Sequence, residues 1–155
     1  MDFTHLEYIK NVNDDHGWAY KKHPVGAYFQ LNFKKGEGVN THALNLPKGA
    51  LIILSQKPPN KERYLTHVVE LVNEGSEDKP QWTPEDTWGI FRWVKVHWIA
   101  GFHSPSNTHL DKDVMGGMDW GWENTLAKSL AGNGLMRKWK DVETLRTHLQ
   151  GVFNK

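Results

Sequence analysis

The run GIFRWVKVHWI, residues 89–99, restricts the fold more than any other stretch of the chain. Val94, Val96 and Trp98 alternate with Lys95 and His97, the period-two pattern of a strand with one solvated face. Ile90 to Trp93 break that alternation, so a bulge or a second packed face is expected there. Such a strand needs partners, and the sequence supplies them upstream. In GAYFQLNF, Phe29, Leu31 and Phe33 alternate with Gln30 and Asn32. The apolar runs ALIILS and RYLTHVVELV, separated by the breaker QKPPNK, predict a hairpin of two core strands.

Helices are expected at the flanks. Thr4 followed by Glu7 has capping-box spacing, with Phe3 and Tyr8 placed as a hydrophobic staple, which predicts a short helix over about residues 5–12. Residues 34–48 read as a long loop. Trp122, Leu126 and Leu130 recur at spacing four, predicting a helix that AGNG ends; Asp141 is placed to cap a last helix striped by Val142, Leu145, Leu149 and Val152. The expected architecture is α+β: one domain over residues 1–155, with a small curved sheet or partly closed β-barrel over about 26–100 and helices over about 122–152.

A chain of 155 residues suits one core that buries roughly 70% of the unfolded surface. With 19 Lys and Arg against 18 Asp and Glu, it lacks a wide electrostatic footprint for duplex nucleic acid. The absence of cysteine excludes disulfides and thiolate chemistry. No basic leader with an apolar core and no long apolar run is visible, so a cytoplasmic location without membrane contact is expected. GxSxG, P-loop and GxGxxG patterns are absent. His103, His109, Asp111 and Asp113 share one loop, but their spacing fits neither HExxH nor an EF-hand, so no metal and no cofactor is expected.

The succession GALIILS, YLTHVVELV, WTPEDTW and GIFRWVKVHWI resembles the core of YTH domains and their EVE relatives in the PUA-like superfamily. The resemblance implies a small barrel that takes one flipped-out modified base into an aromatic cage. It matches Trp82 and Trp88 to two cage positions, sets Asn32 near the base edge, and places Ser55 and Gln56 at a polar strand end beside the pocket. A further cage tryptophan found between the first core strands of YTH domains has no counterpart in residues 34–48; His42 or Trp18 could substitute.

Such a cage suits an extruded base, because each aromatic stacking contact is worth about 1–3 kcal/mol and a buried methyl adds about 0.8 kcal/mol. Arg92, Lys95 and His97 are the expected phosphate contacts, and Trp120 either closes the pocket or packs a helix. The expected function is therefore non-catalytic binding of a modified, methylated base in nucleic acid. The alternatives are a small-molecule or nucleoside-binding enzyme domain and a protein-interaction module built on exposed tryptophans.

Overall fold

The computed structural model describes residues 1–102, 109–117 and 119–154. Its amino-terminal segment is a strand, not the helix that the spacing predicts. Phe3–His5 form a single 3-10 turn in which the Asp2 carboxylate accepts from the Thr4 N–H at 3.0 Å and the Thr4 hydroxyl at 2.6 Å. Thr4 is thus engaged backwards and cannot cap a helix. Beyond the turn, β1 (Leu6–Val12) pairs in parallel with β3 (Leu51–Gln56). A register shift between Leu6 and Tyr8 accommodates Glu7, and this bulge brings Leu6 and Ile9, three residues apart, into the same core. The bulge imitates helical spacing.

The remaining strands are β2 (Tyr28–Phe33), β4 (Tyr64–Leu71), β5 (Ile90–Ile99), β6 (His109–Leu110) and β7 (Ala127–Ser129). They complete a mixed sheet of seven strands, in the order β2-β5-β4-β3-β1-β7 with β6 beside β4, curled into a half-barrel. The predicted hairpin is β3–β4, antiparallel from Leu51 opposite Glu70 to Gln56 opposite Tyr64. Ile90 to Trp93 carry no bulge: β5 runs there in unbroken register with β2, and Ile90, Phe91 and Arg92 are all buried because both faces are covered. The bulge lies further on, where Val96 and Trp98 oppose the consecutive residues Val69 and Val68.

Because successive strand residues point to opposite faces, the sheet divides two cores. Ile52, Leu54, Val69, Val94 and Val96 join Phe29, Leu31 and Phe33 in one; Leu51, Ile53 and Val68 join the carboxy-terminal helices in the other. Skipping His97 turns Trp98 from the first core to the second, where it packs on Phe153 with ring centroids 4.8 Å apart.

Five α-helices occur among the described residues. The expected loop over 34–48 contains α1 (Val39–Asn45), entered through Gly38 at φ 75°, a left-handed conformation that glycine adopts readily. Val39 and Ala43 turn its buried face to the first core. The short α2 (Gly75–Asp78) follows β4, and Gly75 is required there: a Cβ would sit 2.0 Å from the Leu44 carbonyl oxygen. The helix expected around Trp122 to Leu130 is absent. Leu126 packs on the first core and Leu130 in the second, so β7 crosses between them instead of presenting one face. The short α3 (Asp111–Val114) and α4 (Asn133–Met136) lead to α5 (Val142–Phe153). Asp141 caps α5 as expected, accepting from the Thr144 N–H at 2.7 Å. Leu145, Leu149 and Phe153 are its buried stripe, with Val142 and Val152 alongside. No helix among the described residues is long and apolar enough to cross a membrane.

Candidate functional site

At one end of the β2–β5 pair, a cavity of about 400 Å³ opens between β1, the loop over residues 13–20 and Trp88. Lys10 and Val12 of β1, Ala19 and Tyr20 of the loop, Asn32 of β2 and the Trp88 side chain line it, with Asp14, Asp15 and His16 at the exposed rim. Trp88 also borders two neighbouring depressions. One includes Lys34, Lys57, Pro58 and Thr87; the other includes Gln30, Gln81, Thr83 and Phe91. At 41% exposure, it is the most exposed tryptophan among the described residues.

Asn32 ties the site together. Its Nδ2 donates to the Trp88 carbonyl at 2.7 Å, its backbone N–H donates to Tyr20 Oη at 3.0 Å, and its Oδ1 accepts from the Tyr20 hydroxyl at 3.2 Å. Tyr20 is held as firmly as it is used. It sits at φ 61°, uncommon for a side chain of this size, and its ring stacks on Phe29 with centroids 4.2 Å apart. Burial pushes its hydroxyl up to about 12, so it remains a neutral donor at physiological pH.

Gln56 sets the loop from below. Its Oε1 accepts from the Ala19 N–H at 2.8 Å, while Nε2 donates to the Ala19 carbonyl at 3.1 Å and Thr66 Oγ1 at 2.7 Å. His67 adds a contact from Nε2 to the Tyr20 carbonyl oxygen at 3.2 Å; burial lowers its pKa to about 4 and keeps it neutral. Gln56 therefore positions Tyr20 without lining the cavity. On the opposite side, Gly89 lets the Trp82–Trp88 loop close: a Cβ there would meet the Thr83 carbonyl oxygen at 1.9 Å.

The two tryptophans expected to share a cage have different fates. Trp82 is 8% exposed and belongs to the first core, with Nε1 donating to the Phe91 carbonyl at 2.6 Å. It is a packing residue in this structure because its indole N–H finds a buried acceptor there. Trp18 packs on Tyr64 and Phe102, at 5.6 and 5.5 Å between centroids, and with Lys21 and Lys22 borders an adjoining depression that shares Asp14, His16 and Tyr20 with the cavity. His42 accepts from the Ala127 N–H at 2.9 Å and packs on Phe33.

Ser55 and Trp120 both bond Asp111 and do not line the cavity. The Ser55 hydroxyl donates to Asp111 at 2.7 Å and Trp120 Nε1 donates to the same carboxylate at 3.1 Å, within the second core. Trp82→Phe should lower stability in denaturant unfolding by about 1–3 kcal/mol, since it takes the indole donor from the buried Phe91 carbonyl; Trp120→Phe should cost less, because Asp111 still accepts from Ser55.

The expected phosphate contacts do not converge on the cavity. Arg92 is wholly buried: Nε donates to Asp78 at 3.0 Å and the remaining nitrogens donate to the carbonyls of Ala43, Leu46 and Asn73. A guanidinium so enclosed cannot reach phosphate. Lys95 lies over the Tyr28 ring, and His97 bonds to Glu70 at 2.8 Å, both toward the end of β5 away from Asn32. The exposed lysines beside Trp88 are instead Lys34 and Lys57. The sequence signal for them was limited to short basic clusters in polar loops.

His103 lies outside the described residues. His109 stacks on Trp98 at 5.3 Å, and Asp111 is engaged by Ser55 and Trp120; among the described residues no group of three His, Asp or Glu is arranged to hold a metal. Compared with family models, curated proteins and solved structures, the chain has no significant match.

Proposed function

We propose that this chain is a PUA-like domain, akin to EVE and YTH domains, that binds a modified base of a nucleic acid without catalysing a reaction. The observation that carries the reading is Trp88, an exposed indole on the wall of a cavity of about 400 Å³ whose other wall offers Asn32 and Tyr20. That volume lies in the range of small-ligand sites. An extruded base stacks on Trp88, meets the amide of Asn32 along its edge, and leaves its flanking phosphates near Lys34 and Lys57. Methyl selectivity is modest, about 10-fold to 200-fold, because one buried carbon is all that distinguishes the ligands.

The test is quenching of tryptophan fluorescence by short single-stranded and duplex oligonucleotides carrying unmodified, methylated-cytosine or methylated-adenine bases. Trp88→Ala should weaken binding of the preferred oligonucleotide by about 10-fold or more while leaving stability within about 0.5 kcal/mol. Unchanged affinity in Trp88→Ala would remove the cage from the reading. A titration at two salt concentrations separates this function from nucleoside binding, since only the oligonucleotide complex weakens steeply as counterions compete.

A further inference from the structure

Lys10 is not explained by the fold. It is 1% exposed, on the strand face occupied otherwise by Tyr8 and Val12, and it lines the cavity beside Trp88. An ammonium carries three donors, yet among the described residues Nζ has one hydrogen bond, to the Asn11 carbonyl at 3.2 Å, and otherwise faces the Phe33 ring at 4.7 Å. No carboxylate pairs with it there. A buried lysine without a counter-ion costs stability, and an apolar side chain of the same length would fill the space at less cost.

We propose that Lys10 is the donor at the cavity floor that hydrogen-bonds a carbonyl oxygen of the bound base, and that the site consequently takes cytosine- or guanine-type bases over adenine. The inference rests on the base-binding reading above. Lysine offers donors and no acceptor, so the group that reaches it must accept. Adenine accepts only at ring nitrogens, each with one lone pair held in the ring, whereas cytosine and guanine project a carbonyl oxygen with two lone pairs beyond the ring and join it to an amino group. The rim supplies the complement: Asp14 and Asp15 border the same cavity and can accept from that amino group. Burial brings the amine down to about 7, and a carbonyl oxygen at Nζ favours the protonated, donor-only form.

The experiment compares wild type and Lys10→Met in fluorescence titrations with otherwise identical single-stranded oligonucleotides carrying 5-methylcytosine, guanine or N6-methyladenine, alongside thermal unfolding of both proteins. The expected result is wild-type preference for a carbonyl-bearing base, at least a 10-fold loss of that affinity in Lys10→Met, and an unfolding temperature in the variant equal to or above that of wild type. A lowered unfolding temperature would make Lys10 a structural residue and overturn the proposal. So would unchanged affinity in the variant, or a wild-type preference for N6-methyladenine, either of which leaves base binding itself standing. Failure of wild type to bind any of the oligonucleotides would overturn the base-binding reading, and the proposal with it.

Discussion

Arg92→Met should destabilise the protein by about 3–5 kcal/mol, the cost of leaving a buried charge without its partner. Asp78 would lose its guanidinium while still enclosed, and the carbonyls of Ala43, Leu46 and Asn73 would lose their donors. These contacts come from α1, the turn after it, the loop after β4 and α2, so one side chain of β5 fastens four segments. Asp78→Asn should cost less, because its side chain can still accept from the Trp93 N–H, now at 3.0 Å from the carboxylate. The two replacements combined should cost well below the sum of the singles, because the second removes a charge the first has orphaned. Urea unfolding of the four proteins measures this. Additive losses would show that Arg92 and Asp78 act independently.

Arg92 also shows how much of the fold was legible in the sequence. It shares the even-numbered phase of Val94, Val96 and Trp98, not the phase of Lys95 and His97. The sequence therefore carried a sign that it points inward, but its partner Asp78 lies fourteen positions away in a segment without periodicity. The clean alternation of β2 was readable as a strand, whereas in β5 the alternation fails over Ile90 to Trp93, where both faces are covered, and runs on through the bulge between Val96 and Trp98. The β1 bulge hid a strand, and Leu126 and Leu130 shared helical spacing while entering different cores. Lys10 was invisible for a compounded reason. Only when residues 6–12 are a strand do Tyr8, Lys10 and Val12 share a face. Trp82 and Trp88 could not be separated by type or spacing; a carbonyl at Phe91, fixed by tertiary structure, draws one of them inside.

The same buried groups are expected to give the protein an unusual dependence of stability on pH. Lys10 binds its proton at about 7 when folded and at 10.5 when unfolded, so between those values the unfolded chain holds the extra proton and stability rises with pH. At 1.36 kcal/mol per pKa unit, the gain across that window is on the order of 5 kcal/mol. His67, at about 4 when folded against 6.5 unfolded, acts in the same sense at lower pH, on the order of 3 kcal/mol. His42, lowered by burial, adds to it, while Asp111, raised by burial, opposes it above its unfolded value of 3.8. Tyr20 ends the rise: its folded value of about 12 exceeds the unfolded 10.0, so stability falls once the unfolded tyrosine ionises, and Tyr8 acts likewise. Maximal stability is therefore expected near pH 10, above the usual range of about 5 to 8. His42 is coupled electrostatically to Lys10, and Tyr20, Asp14, Asp15 and His16 line the same cavity. Lys10→Met should flatten the profile between pH 7 and 10.5 while leaving the acid limb in place, and the stability it gains should be largest at and below pH 7, fading to nothing by pH 10.5. Chemical denaturation from pH 4 to 11 reads both limbs. A slope above pH 7 that persists in Lys10→Met would assign the alkaline gain to another group and leave Lys10 charged inside the fold.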